Sequence, residues 1–155
     1  MDELRDLYQA TILDHNRAPR NFGELPSANR KADGDNPVCG DKLTVHLEVD
    51  DDDRVRDIRF FGKGCAISTA SASLMTEFVK GRRRSEIQET FDRFHELVTG
   101  NPSESVDGEG LGKLAVFSGV REYPVRVKCA TLAWHTLQAA LEADSEQATE
   151  VARTE

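Results

Sequence analysis

KLTVHLEV, residues Lys42–Val49, decides the fold class. Leu43, Val45, Leu47 and Val49 alternate with Thr44, His46 and Glu48. A period of two is the signature of a strand with one face buried and one face open. The run ends at Asp50–Asp53, four acidic residues that suit a turn, and RVRDIRFF follows over Arg54–Phe61. Ile58 and Phe60 recur there with the same period, so the two runs read as a β-hairpin. With a four-residue turn, Val49 faces Arg54 and paired residue numbers sum to about 103, within a residue or two of register. Cys39 and Asp41 then lie beside Gly62, Lys63 and Gly64, and Cys65 comes close to both.

Outward from the hairpin, the periodicity becomes helical. Upstream, Asp2 to about His15 places Leu4, Leu7, Tyr8 and Ile12 on one face. The breakers Pro19, Gly23 and Pro26 mark the loop Asn16–Ser27. Downstream, Ala66–Val79 carries a stripe of Ile67, Ala70, Leu74 and Phe78. Ser85–Val98 carries Ile87, Phe91, Phe94 and Val98, with Ser85 and Gln88 as a capping box. A glycine-rich stretch runs to about Tyr123 and includes a short helix near Leu111–Phe117. The last helix spans Val125–Ala143, with Pro124 near its first turn and Val127, Ala130, Trp134, Leu137 and Leu141 buried. The expectation is a single domain over residues 1–143 and a polar, frayed tail over 144–155.

The chain has 155 residues, enough to bury a core without disulfide staples. Its net charge of −8, from 28 acidic and 20 basic residues, argues against nucleic acid as a partner. No apolar run approaches a membrane span, so no membrane role is expected. MDELRDLYQA is charged from its second residue, unlike a secretory signal. A cytoplasmic location is therefore the expectation.

The three cysteines, Cys39, Cys65 and Cys129, should be free thiols in a reducing compartment, and an odd number leaves one over from any disulfide framework. A lone cysteine is more often a small core residue than a ligand. Three features favour chemistry here. Cys39 sits in the tight loop NPVCGD, Asn36–Asp41. Cys65 ends GKGC and runs straight into a helix. Cys129 lies in the first turns of the last helix, after Arg126 and Lys128. Helix starts and nearby cations favour thiolate. Three thiolates and the carboxylate of Asp41 satisfy a tetrahedral Zn²⁺, and soft sulfur donors select zinc or iron–sulfur clusters over magnesium or calcium. Asp41 reads equally well as a turn residue. His46 reads as solvated on the open strand face, His135 as structural or exposed, and Arg82–Arg84 as cations closing a helix. Gly62-Lys63-Gly64 lacks the spacing of a phosphate loop.

NPVCGD at Asn36–Asp41, GKGCAIS at Gly62–Ser68, RVKCATLAWHTL at Arg126–Leu137 and HNRAPRNFG at His15–Gly23 together resemble the U-type iron–sulfur assembly proteins, and within them the zinc-containing SufU-like branch. The resemblance runs from residue 4 to about residue 143. Lys128 stands where the classical scaffolds carry a histidine. Lys80–Tyr123 looks like the insertion of SufU-like members. The resemblance implies an α+β fold, a three-stranded antiparallel sheet covered by helices, with its third strand near Ser27–Asp35. It implies Zn²⁺ on Cys39, Asp41, Cys65 and Cys129, with Cys39 as the nucleophile. The implied partners are a SufS-type cysteine desulfurase and downstream iron–sulfur assembly proteins. The implied function is zinc-dependent transfer of persulfide sulfur, with Cys39 freed from zinc when a ligand from the desulfurase replaces it. Two rivals remain open: a scaffold holding a [2Fe–2S] cluster on the same four residues, and a binding module that activates the desulfurase by docking.

Overall fold

A computed structural model describes residues 2–100, 111–143 and 150–153. Helix α1 spans Asp2–Arg17, and strands β1 (Arg30–Asn36), β2 (Asp41–Val49) and β3 (Val55–Lys63) follow. Helices α2 (Ala66–Val79) and α3 (Arg84–Thr99) lead to a 3-10 helix at Gly112–Glu122. Helix α4 (Pro124–Glu142) and strand β4 (Glu150–Arg153) complete the order.

The hairpin is β2–β3. Lys42 pairs with Lys63 and Val45 with Phe60, so paired numbers sum to 105 along most of its length. The offset from the expected register is two residues. A two-residue slip preserves which face each side chain occupies, so the inward set Leu43, Val45, Leu47, Ile58 and Phe60 is the one expected. The slip arises at the turn. Val49 pairs with Val55 rather than Arg54, and the ladder shifts between Glu48 and Val49. The turn is pinned by Asp50, whose side chain accepts from the N–H groups of Asp52 and Arg54.

The sheet order is β3-β2-β1-β4. The first three strands are antiparallel, as the resemblance implies, and β4 adds a short parallel strand on the outer side of β1. Glu150–Arg153 thus corrects the expectation of a wholly frayed tail, because the unpaired backbone of an edge strand captures an extended segment. Residues 144–149, 154 and 155 lie outside the described residues.

β1 reads RKADGDN and looks nothing like a strand. Its inward positions are Ala32 and Gly34, and a Cβ on Gly34 would sit 1.9 Å from Thr136 Oγ1 of α4. The helix packs so close to β1 that only small residues fit there, which removes the usual apolar signal. Trp134 of α4 is fully buried and stacks on Phe94 of α3 at 5.1 Å.

Several local readings change. α3 starts at Arg84, and Glu86 Oε1 accepts from Arg83 N–H at 3.1 Å, so its cap lies two residues before the expected Ser85. Arg82–Arg84 therefore follow α2 and open α3. His46 is buried rather than solvated: its Nδ1 accepts from Leu25 N–H at 3.2 Å, because the loop before β1 folds over the outer face of the sheet. The open edge of β3 is covered by the same loop, with Gly23 N–H donating to Phe60 O and Phe60 N–H to Asn21 O. Of the expected α1 stripe, Ile12 packs against the core; the side chains of Leu4, Leu7 and Tyr8 lie outside the described ones. Among the described residues, no helix is long and apolar enough to cross a membrane.

Candidate metal centre

β1 and β2 are joined by Pro37-Val38-Cys39-Gly40, with Asn36 facing Asp41 across the ladder. The turn is held from Asn36: Gly40 N–H donates to its carbonyl at 2.8 Å, and Val38 N–H to its Oδ1 at 3.3 Å. Gly40 has φ +74°, the left-handed region that glycine enters without strain. The result lifts Cys39 into solvent. Asp41 opens β2 on the inward face, in phase with Leu43, and is only 2% exposed.

β3 ends at Lys63, and Gly64-Cys65 turns the chain into α2. Both glycines of this motif act by close approach. A Cβ on Gly62 would lie 2.1 Å from Lys42 O, and one on Gly64 would lie 2.9 Å from Ser68 Oγ and 3.4 Å from Asp41 Oδ1. Cys65 caps α2, with its Sγ accepting from Ser68 N–H at 3.4 Å. Its own N–H donates to Asp41 Oδ1 at 3.0 Å, and its Sγ lies 3.9 Å from Asp41 Oδ2. Cys129 enters from the second turn of α4. Its Sγ lies 3.3 Å from Cys39 Sγ and 3.9 Å from Asn36 Nδ2.

Two turns, the start of β2 and the second turn of α4 thus converge at one end of the sheet. Cys39, Asp41 and Cys129 each offer a donor atom within 4.8 Å of the others, and Cys65 adjoins them through Asp41. His135 packs instead on Phe91 and His95, away from the sulfurs. Sequence reading passed over Asn36 and Ser68. Asn36 is fully buried in an inward register position just before a proline turn, which is the signal that could have singled it out.

The electrostatics run against the expected thiolate at Cys129. Burial pushes its thiol well above the ordinary range, followed by the hydrogen bond to Cys39 and the negative charge of Cys65. Cys129 lies beyond the unpaired amides of the first turn, and the nearby Arg126 guanidinium stacks on Tyr123 at 4.4 Å. Among the described residues, the ion pairs with carboxylates within 4.0 Å do not include Asp41. A buried carboxylate and buried sulfur with no cation beside them form a site that favours a metal ion, which supplies the missing positive charge. The spacing agrees. Sulfur donors at about 2.3 Å from a tetrahedral zinc stand about 3.8 Å from one another. Donor atoms within 4.8 Å of each other therefore suit the shell of one ion.

The family model for the NifU-like N-terminal domain matches residues 7–130. The iron–sulfur cluster assembly scaffold protein IscU of Streptococcus pyogenes serotype M1 is 38% identical over 143 residues, covering 91% of this chain and 86% of that protein. The zinc-dependent sulfurtransferase SufU of Bacillus subtilis is 38% identical over 135 residues, covering 87% and 89%. A crystal structure from Fervidobacterium islandicum, described as a candidate iron–sulfur cluster assembly scaffold for the SUF system, superposes with a TM-score of 0.78 at 34% identity, covering 85% of this chain and 94% of that one. The chain belongs to the family of NifU-like N-terminal domains.

Proposed function

We propose that this protein is a zinc-dependent sulfurtransferase of iron–sulfur cluster assembly, which accepts sulfur from the persulfide of a SufS-type cysteine desulfurase. The observation that carries the reading is the inequality of the clustered donors. Asp41 and Cys129 are buried; Cys39 and Cys65 are both exposed, but the Cys65 sulfur is engaged by the Ser68 amide, whereas Cys39 sits on its turn between the strands. In this reading Cys39, Asp41, Cys65 and Cys129 hold Zn²⁺, which supplies the positive charge that keeps the thiols deprotonated. The likeness to the Bacillus sulfurtransferase supports zinc as the ion.

Transfer is ordinary thiol–disulfide chemistry. The Cys39 thiolate attacks the outer sulfur of the donor's persulfide. A new S–S bond forms on Cys39, the donor's S–S bond breaks, and the donor cysteine leaves as a thiolate. Asp41 and Cys65 stay linked through the Cys65 amide and keep the remaining donors in place while Cys39 works. The exposed apolar residues Val38, Tyr123 and Val125 belong to the chain segments that carry Cys39 and lead to Cys129, and offer a docking rim. A reducing cytosol keeps the three thiols free, and the bound sulfur passes on to downstream iron–sulfur assembly proteins.

The second reading is a scaffold for a [2Fe–2S] cluster on the same residues. The scaffold names of the Streptococcus and Thermotoga maritima relatives favour it. A two-iron cluster would divide four ligands into two pairs, whereas Cys39, Asp41 and Cys129 gather as a group of three. Lys128 also stands where the classical scaffold's histidine is expected. The test is to mix the zinc-loaded protein with the persulfide form of the desulfurase and map the product by mass spectrometry. One added sulfur on Cys39 supports the sulfurtransferase. Sulfur on Cys65 or Cys129 alone, or none, overturns it.

A further inference from the structure

We propose that the metal-free site is a redox switch in which Cys39 and Cys129 close into a disulfide. The two sulfurs stand 3.3 Å apart, within about 1.3 Å of the roughly 2.0 Å length of an S–S bond. One of the pair is exposed and open to an oxidant, and the other is buried directly behind it. Cys65 also lies beside Cys129, but its sulfur is engaged by the Ser68 amide and Asp41 Oδ2. It is also absent from the tight triangle of donors that Cys39 forms with Asp41 and Cys129. Of the three disulfides that three cysteines allow, the 3.3 Å approach of Cys39 and Cys129 favours theirs.

The oxidant class is a hydroperoxide. The Cys39 sulfur attacks the peroxide oxygen, the O–O bond breaks, and Cys39 becomes a sulfenic acid while hydroxide leaves. The Cys129 sulfur then attacks Cys39 sulfur and displaces the sulfenic hydroxyl, with the Cys129 proton ending in the water released. With hydrogen peroxide, two thiols and one peroxide give one disulfide and two waters. The bond withdraws the exposed nucleophile and two of the four metal donors together. A dithiol reductant reverses it. The switch rests on sulfur geometry, so it holds whether the site carries zinc or a cluster in the cell.

The sequence makes the test direct. Trypsin releases Cys39 on residues 32–42, Cys65 on residues 64–80 and Cys129 on residues 129–153, so each pairing gives a distinct cross-linked peptide. Metal-stripped, reduced protein is treated with one equivalent of hydrogen peroxide, alkylated and digested without reductant. The expected product joins the Cys39 and Cys129 peptides, leaves Cys65 alkylated and releases the Cys39 and Cys129 thiols with dithiothreitol. The Cys65→Ser variant should form the same cross-link to the same extent, and the zinc-loaded protein should resist it. A dominant cross-link through Cys65, dimers joined between chains, or sulfinic acid on Cys39 without a cross-link would overturn the proposal.

Discussion

Asp41→Asn separates the role of a ligand from that of a turn residue. The amide keeps the size of the carboxylate and an acceptor for the Cys65 N–H, which Asp41 Oδ1 receives at 3.0 Å. It removes the charge and most of the affinity for zinc. In the metal-free protein the change should be small. The variant weakens a charge-assisted hydrogen bond but relieves a buried carboxylate that is only 2% exposed, so the two terms offset to within about 1 kcal/mol. In the zinc-loaded protein the change should be large. Losing even a partner of a metal ligand costs about 10–100-fold in affinity, so losing a ligand itself should reach about 100-fold or more. At saturating zinc that removes about 2.7 kcal/mol of metal-linked stability. For a chain of this length it lowers the zinc-induced gain in Tm by about 5–11 °C. Thermal unfolding of wild type and variant in zinc and in chelator reads both numbers. Equal zinc-induced gains in the two proteins would refute the assignment of Asp41 as a ligand.

Other consequences follow from the same geometry. Asn36→Ala removes the acceptor for Val38 N–H and the amide at Cys129 Sγ, so it should lower stability by about 1–2 kcal/mol and zinc affinity by about 10–100-fold. Denaturant unfolding and chelator competition measure the two effects. Gly34→Val forces a side chain into Thr136 and should destabilise the fold by about 1–3 kcal/mol or more while the sulfurs are untouched, again read by denaturant unfolding. Burial raises the Cys129 thiol, so the fold keeps a proton that the unfolded chain gives up above about pH 8.5. That contribution to metal-free stability is fully present below this pH and falls as pH rises further, whereas zinc affinity climbs with pH because binding expels the proton. Calorimetry in buffers of different ionisation enthalpy should show proton release on zinc binding. Burial lowers His15 and His46, so the stability they contribute is present above about pH 6.5 and is lost as the solution is acidified. Thermal unfolding of the metal-free protein across pH should show both limbs.

The hairpin and the helices were legible because their buried faces carry clean periods of two and 3.6. Leu43, Val45 and Leu47 on β2, and Phe91, Phe94 and Val98 on α3, are examples. The register erred by two residues because the turn takes up Arg54 and a bulge, which a run of four aspartates does not announce. β1 was invisible to pattern, since the approach of α4 demands Ala32 and Gly34 where a strand would show large apolar residues. The convergence of Cys39, Asp41 and Cys65 followed from the hairpin alone. Cys129 did not, because its place depends on how α4 crosses the sheet. In the metal-free site burial raises its thiol, for the same reason. Two basic neighbours in sequence say little once the sulfur is buried and the Arg126 side chain is stacked on Tyr123. Asn36 and Ser68 were quoted as parts of motifs, but their contacts exist only once β1, α2 and α4 meet.

The most direct test of the central claim is the rate of alanine release from cysteine by a SufS-type desulfurase, alone, with the zinc-loaded protein, and with its Cys39→Ala variant. The account predicts strong stimulation by the intact protein and none by the variant. Full stimulation by the variant would contradict sulfur acceptance at Cys39 and point to activation by docking. No stimulation by the intact protein would contradict the sulfurtransferase reading and leave the cluster scaffold in its place.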